Sequence, residues 1–140
     1  MHGTDRSSLN ELVPRRLYCF LMGTIGPEQL ERLISRPVGP GCGVERTLQV
    51  LDGKWATLVV RELLNGPKRF GEVRAGLGNP SAKTLTDRLR ALEHQGILTR
   101  TVHAEVPPRV VYALTEQGRS LSGILHAMLV WGEANPEPGA

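Results

Sequence analysis

Cysteine is nearly absent. Cys19 and Cys42 are the only two in 140 residues, too few and too far apart for the disulfide framework of a small secreted domain, so a reducing cytosol is the expected setting. Long apolar runs are missing as well. Leu17 to Met22, behind Arg15 and Arg16, is too short to cross a bilayer, and no small-residue cleavage site follows it, so neither a membrane anchor nor a secretory leader is expected. His2, His94, His103 and His126 are scattered without partners at metal-ligand spacing, so no metal or other cofactor is expected. No Ser-His-acid or paired-carboxylate arrangement stands out for catalysis, and the chain is not expected to be an enzyme. Gly39 to Gly43 has the glycines of a phosphate loop, but no strand precedes it, no Lys-Ser/Thr follows, and Pro40 removes an amide donor, so it reads as a linker. There is no internal repeat. A formal net charge of +3 and a pI near 9.2 are too mild to imply an anionic partner, and only local charge placement can argue for one. The length suits one domain that buries a real core without staples, with room for an extension.

What the sequence does contain is concentrated between Ser81 and Tyr112. Pro80 and the N-cap Ser81 mark the start of a helix. Leu85, Leu89 and Leu92 form its apolar stripe, while Lys83, Thr86, Asp87 and Arg90 point the other way. Gly96 stops it. Two runs rich in β-branched residues follow, Ile97 to His103 and Arg109 to Leu114, joined at Pro107-Pro108, where a sheet ladder cannot continue. A reading helix followed by a two-stranded β-hairpin wing is the expected arrangement.

Before this stretch, Leu9 to Met22 suggests an amphipathic helix, and Pro27 opens a second one carrying Leu30, Leu33 and Ile34. The linker at Arg36 to Gly43 follows. A first core helix is expected on Val44, Leu48 and Leu51, a second on Trp55, Leu58, Val59 and Leu63, and a short third on Phe70, Val73 and Leu77. The third helix, the turn at Gly76 to Pro80 and the helix from Ser81 have the outline of a helix-turn-helix. Thr115 caps a last helix with Leu121, Ile124, Leu125 and Met128 as its stripe; Leu129, Val130 and Trp131 widen the apolar surface enough to call for a second subunit. The expected fold is mostly α (α+β): a helical extension and linker over residues 1–41, a winged helix-turn-helix domain over 42–132 with dimerisation helices flanking it, and a disordered tail over 133–140.

A helix fits the major groove of B-DNA, and a β-ribbon can lie along the neighbouring backbone or minor groove. Such a device needs cations for phosphates and hydroxyls for base edges. The helix offers Ser81, Lys83, Thr84, Thr86, Arg88 and Arg90, with Lys83, Thr86 and Arg90 nearest the outward centre and Arg88 on the flank. Asp87 pairs with Lys83 or Arg90, or accepts from a cytosine amine. In the wing, His103 and Arg109 flank the tip, and Lys54, Lys68 and Arg69 stand near helix starts where they could clamp phosphate. On these residues alone, a charged face can also be merely a solvated one. The same fold can serve as a protein-interaction module without DNA. Cys42, just before a predicted helix, sits where the positive helix end favours anionic sulfur; the alternatives are an inert, partly buried thiol and, with no local base in sight, a thiol enzyme.

From Cys42 to Trp131 the chain resembles the HxlR-type winged helix-turn-helix transcriptional regulators of bacteria. The resemblance rests on Cys42-Gly-Val-Glu, Gly53-Lys54-Trp55, Arg69-Phe70-Gly-Glu-Val73, Ser81 to Glu93, Gly96-Ile97-Leu98-Thr-Arg100, Val106-Pro107-Pro108-Arg-Val110-Val-Tyr112, Leu114-Thr115-Glu-Gln-Gly118 and Trp131, all in register. It implies a cytoplasmic homodimer built by terminal helices, double-stranded DNA as partner, the Ser81 helix in the major groove and the wing near phosphate. Some members use the position matched by Cys42 as a thiol sensor, so the resemblance also implies an oxidant, electrophile or small-molecule effector as one mode of control. Two features depart from the family. Pro80 stands where an aliphatic residue commonly precedes the cap serine, which weakens the hydrophobic staple. The first 37 or so residues exceed the usual lead-in, either as a dimerisation arm or through an upstream start, with Met22 an alternative first residue.

Overall fold

The structure, a computed structural model, describes residues 25–37 and 39–139. The helix expected over Leu9 to Met22 lies outside them. The chain divides into two units, Gly39–Leu125 and one drawn from both chain ends. In the latter, α1 (Pro27–Ser35) starts on a proline with Glu28 in its first turn and Arg32 in its last, and it buries none of its residues.

The main unit begins with α2 (Gly43–Val50), α3 (Gly53–Leu63), β1 (Lys68–Arg69), α4 (Phe70–Gly76) and α5 (Ala82–His94). β2 (Leu98–His103), β3 (Arg109–Leu114) and the single-turn α6 (Glu116–Arg119) follow. The last helix, α7 (Ser122–Ala134), starts here and runs on into the other unit. β2 and β3 pair antiparallel with Leu98 opposite Leu114 and His103 opposite Arg109, so the predicted hairpin is present in the expected register. The sheet has a third strand that the sequence reading omitted: β1 pairs with β3, giving the order β1-β3-β2. Two residues carry no alternation for a periodicity argument to detect.

The core gathers Val59, Val60, Val73, Leu85, Leu89, Leu92, Ile97 and Leu98, all fully buried. Three expectations about individual faces need correction. Of the stripe expected on the first core helix, Leu51 at the C-cap of α2 is buried beside Val50, but Val44 and Leu48 are 52% and 63% exposed, so the stripe meets the core only at its C-terminal end. In α3 the buried set is Ala56, Val59, Val60 and Leu63, with Trp55 and Leu58 only half-buried; the small Ala56, passed over for its size, takes the inward position. The single helix expected from Thr115 breaks after Arg119. Thr115 does cap α6, accepting from Gly118 N–H at 3.1 Å, and its hydroxyl donates to Gly96 O at 2.6 Å. Gly118 then lies so close to the start of β2 that a Cβ there would collide with the Ile97 carbonyl oxygen. Ser120 bonds back to Gln117 O, and the Leu121 N–H takes the tighter bond to Gly118 O at 3.1 Å. This junction lets Leu121 and Leu125 reach the core while Ile124 and Met128 stay exposed.

Candidate nucleic-acid interface

The helix α5 is fixed first by its start. Gly78 (φ 76°) and Asn79 (φ 58°) both adopt left-handed backbone, a conformation glycine and asparagine take at least cost. Pro80 is buried, and its carbonyl accepts from Arg74 Nε at 2.8 Å. That bond ties the turn back to α4, where a staple would otherwise help hold the entry angle. Ser81 Oγ accepts from the Thr84 N–H at 3.1 Å and donates to Thr84 Oγ1 at 2.8 Å. Thr84 is therefore engaged in the cap. Leu85, Leu89 and Leu92 are 0%, 1% and 1% exposed, which sets the rotation of the helix and sends the polar residues outward.

On that outward face Lys83 Nζ meets Asp87 Oδ2 at 2.8 Å, one helical turn away. The hydrogen bond and charge of Lys83, with smaller contributions from Arg90 and Arg88, hold the Asp87 carboxyl below its ordinary pKa. Arg88 sits on the flank as expected and reaches Asp52 Oδ2 at 3.4 Å, at the residue before α3. Arg90 is exposed and makes no ion pair among the described residues. With Thr86 it lines a groove of about 360 Å³ between α5 and the sheet, completed by Glu93, Arg100 and Tyr112. These last three were missed by the sequence reading.

The remaining candidates are spread over other elements. His103 and Arg109 face each other at the end of the hairpin, and Arg109 Nη2 pairs with Glu105 in the connecting turn at 3.1 Å. Lys54 Nζ lies 4.8 Å from the centre of the Trp55 ring. Arg69 is exposed at the N-cap of α4. Lys68, beside it in β1, is partly buried and ion-paired with Glu62, which leaves it less free for phosphate than its exposed neighbour.

Cys42 is a free, half-buried thiol immediately before α2. The far end of that helix is tied to α5. Arg46 Nη1 donates to Gln95 Oε1 at 2.9 Å, and Gln95 Nε2 donates to Gln49 O at 3.1 Å. Among the described residues no group of three or more His, Cys, Asp or Glu side chains is placed to hold a metal ion, and no helix is long and apolar enough to cross a membrane.

The profile of the family described as HxlR-like helix-turn-helix matches residues 50–139. An uncharacterised HTH-type transcriptional regulator of Synechocystis sp. is 47% identical over 87 residues, which cover 62% of this chain and 64% of that relative's length. Among solved structures, the redox regulator HypR in its oxidised form is 43% identical with a TM-score of 0.64, over 69% of this chain and all of that one. Diamide-treated YodB from Bacillus subtilis is 34% identical with a TM-score of 0.59, over 74% of this chain and all of that one.

Proposed function

Because this chain belongs to the HxlR-like helix-turn-helix family, we propose that it is a transcriptional regulator that binds double-stranded operator DNA as a cytoplasmic homodimer. The observation that carries the reading is α5 itself: its stripe is wholly buried, so Lys83, Thr86 and Arg90 are presented outward, and the hairpin follows directly. In this reading α5 enters the major groove and Ser81, at its cap, stands near the backbone. Arg88, Lys54 and Arg69 add backbone contacts at the flanks, and His103 and Arg109 bring the wing tip to phosphate. The exposed Val44 and Leu48 of α2, with Met128, Leu129 and Trp131 of α7, supply apolar surface for a second copy. A two-fold protein matches a two-fold operator with half-sites about one helical turn apart. Repression by blocking polymerase is the simplest output, and the proposal assigns no catalytic step.

Redox control is the second part of the proposal. It is supported by the likeness to HypR and YodB, which were solved in oxidised or diamide-treated form, and by the place of Cys42 at the start of the helix that bonds to Gln95 behind α5. Modification of the Cys42 sulfur would shift α2, and with it the end of the reading helix.

Genomic fragments retained by the purified full-length protein, with and without oxidant, give the operator and test both parts. Affinity for the recovered duplex should fall steeply with salt, since several Lys and Arg per subunit displace counterions. Binding that is insensitive to salt, or full affinity in both Lys83→Ala and Arg90→Ala, would sink the assignment of α5. Cys42→Ser should bind the operator yet ignore oxidant. An equal oxidant response in wild type and Cys42→Ser would end the sensor role.

A further inference from the structure

Two guanidinium groups from different elements line the same groove. Thr86, Arg90 and Glu93, at steps of four and three, lie on one side of α5, and Arg100 and Tyr112 close the groove from the sheet. Arg100 and Tyr112 are direct cross-strand partners, so they share a face of the antiparallel pair. By the period of two, that face of β2 also carries Leu98 and Val102. Leu98 is in the core. Arg100 and Val102 are exposed, so Arg100 is the first residue of that face outside the core, at the point where the core gives way to the groove. Lys68, Lys83, Arg88 and Arg109 all have carboxylate partners, whereas Arg90 and Arg100 have none among the described residues.

The shape of a duplex says what such a pair would meet. The major groove and the adjacent minor groove are separated by one sugar-phosphate strand. A helix in the first and a hairpin reaching toward the second leave the space between them directly over that strand. We propose that the groove between α5 and the sheet is a seat for one backbone phosphate of the bound operator, gripped by Arg90 from the helix and Arg100 from β2. Thr86 and Tyr112 supply hydroxyl donors. Glu93 opposes the anion and holds the affinity of the seat down. The inference rests on the operator-binding reading and extends it to three residues that no periodicity argument selected. It has a structural competitor: β2 is an edge strand in the order β1-β3-β2, and a charge on an edge strand can serve only to block pairing with another sheet.

The test uses the full-length protein and its operator duplex, with neutral methylphosphonate linkages placed one at a time along each half-site. Wild-type salt dependence checks the operator-binding reading by itself. Given that dependence, Arg100→Ala should lower affinity roughly tenfold per half-site near 0.1 M salt and reduce the salt slope by about 1, alike on operator and non-specific DNA. Arg100→Lys should recover part of the loss, and Glu93→Gln should bind tighter than wild type. One methylphosphonate position should weaken the wild type and cost Arg100→Ala nothing further. The seat is overturned if Arg100→Ala keeps the wild-type affinity and slope while aggregating more readily, which is the edge-guard outcome. It is overturned equally if no methylphosphonate position couples to Arg100. If inorganic phosphate then competes beyond its ionic strength in wild type only, the groove holds a free oxyanion and the backbone assignment fails.

Discussion

The helices α5 and α2 read alike in the sequence and end differently. Each carries aliphatic residues at steps of three and four, yet Leu85, Leu89 and Leu92 are all sealed in the core, whereas of Val44, Leu48 and Leu51 only the last is buried and the first two are more than half exposed. Periodicity shows that a face is meant to be covered; it does not say by what. For α5 the cover is the chain itself, from α3 and the sheet, so the helix is held in place by its own domain. For Val44 and Leu48 of α2 no cover is found among the described residues, and Met128, Leu129 and Trp131 of α7 are likewise exposed; in the proposed dimer a second copy would cover them. The difference separates what holds the fold from what would join two folds.

The sharpest way to break this contrast is to truncate one leucine on each helix. Leu89→Ala opens a cavity among fully buried neighbours and should cost about 2–5 kcal/mol in denaturant unfolding. Leu48→Ala, measured at dilutions where copies are apart, should stay within about 0.5 kcal/mol. It should instead raise the dimer dissociation constant in sedimentation. Equal costs for the two, independent of protein concentration, would show that α2 is covered from within the chain.

Next in size is Gly118→Ala, inside the closed half. The added methyl would press on the Ile97 carbonyl oxygen, a backbone atom that cannot swing aside. Overpacking of this kind costs about 1–3 kcal/mol, and thermal melting would read it. A neutral result would mean that the α6 junction yields freely and that the closed half is looser than its burial suggests. Ser81→Ala removes the oxygen that accepts from Thr84 N–H and should cost about 1 kcal/mol. Protection of the first α5 amides in hydrogen exchange should fall, with α2 unaffected.

The sequence was legible where local chemistry decides the structure. Proline and a cap serine start α5, glycine ends it, a leucine stripe orients it, and β-branched runs bounded by Pro-Pro make the hairpin almost residue for residue. It was less legible where distant parts decide. The strand β1 exists because β3 offers it an edge, and α6 stops because Gly118 has packed against Ile97. Ala56 is buried although its size gives no signal. The outward placement of Lys83, Thr86 and Arg90 followed from rotation about α5, which its own stripe fixes. The place of Arg100 did not, since it depends on the pairing of β2 with β3 and on the packing of the sheet beside α5. One signal was available: a single arginine between Leu98 and Val102 on the register that Leu98 shares with the core, where a hydrophobe is the default.

The smallest expected effect lies on the open face of α5 and tests what that face is for. Asp87 bonds to Lys83, and its carboxyl is held below the ordinary range chiefly by that contact. An acid with a lowered folded-state pKa stabilises the fold in full above its unfolded value, and the contribution is lost as pH falls through the lowered one. Any stability gap between wild type and Asp87→Asn should therefore be present at neutral pH and close in acid. The pair is exposed, with Lys83 86% accessible, and solvent keeps such pairs weak. DNA affinity is the more sensitive readout. If the face meets phosphate, losing a negative charge and freeing Lys83 should tighten binding and steepen its salt dependence. If Asp87 instead accepts from a cytosine amine, Asp87→Asn should weaken binding at one base pair and leave non-specific DNA unaffected. An unchanged affinity on both kinds of DNA would mean that the outward face of α5 is only solvated, and the contrast between a covered reading helix and an open joining helix would lose its functional half.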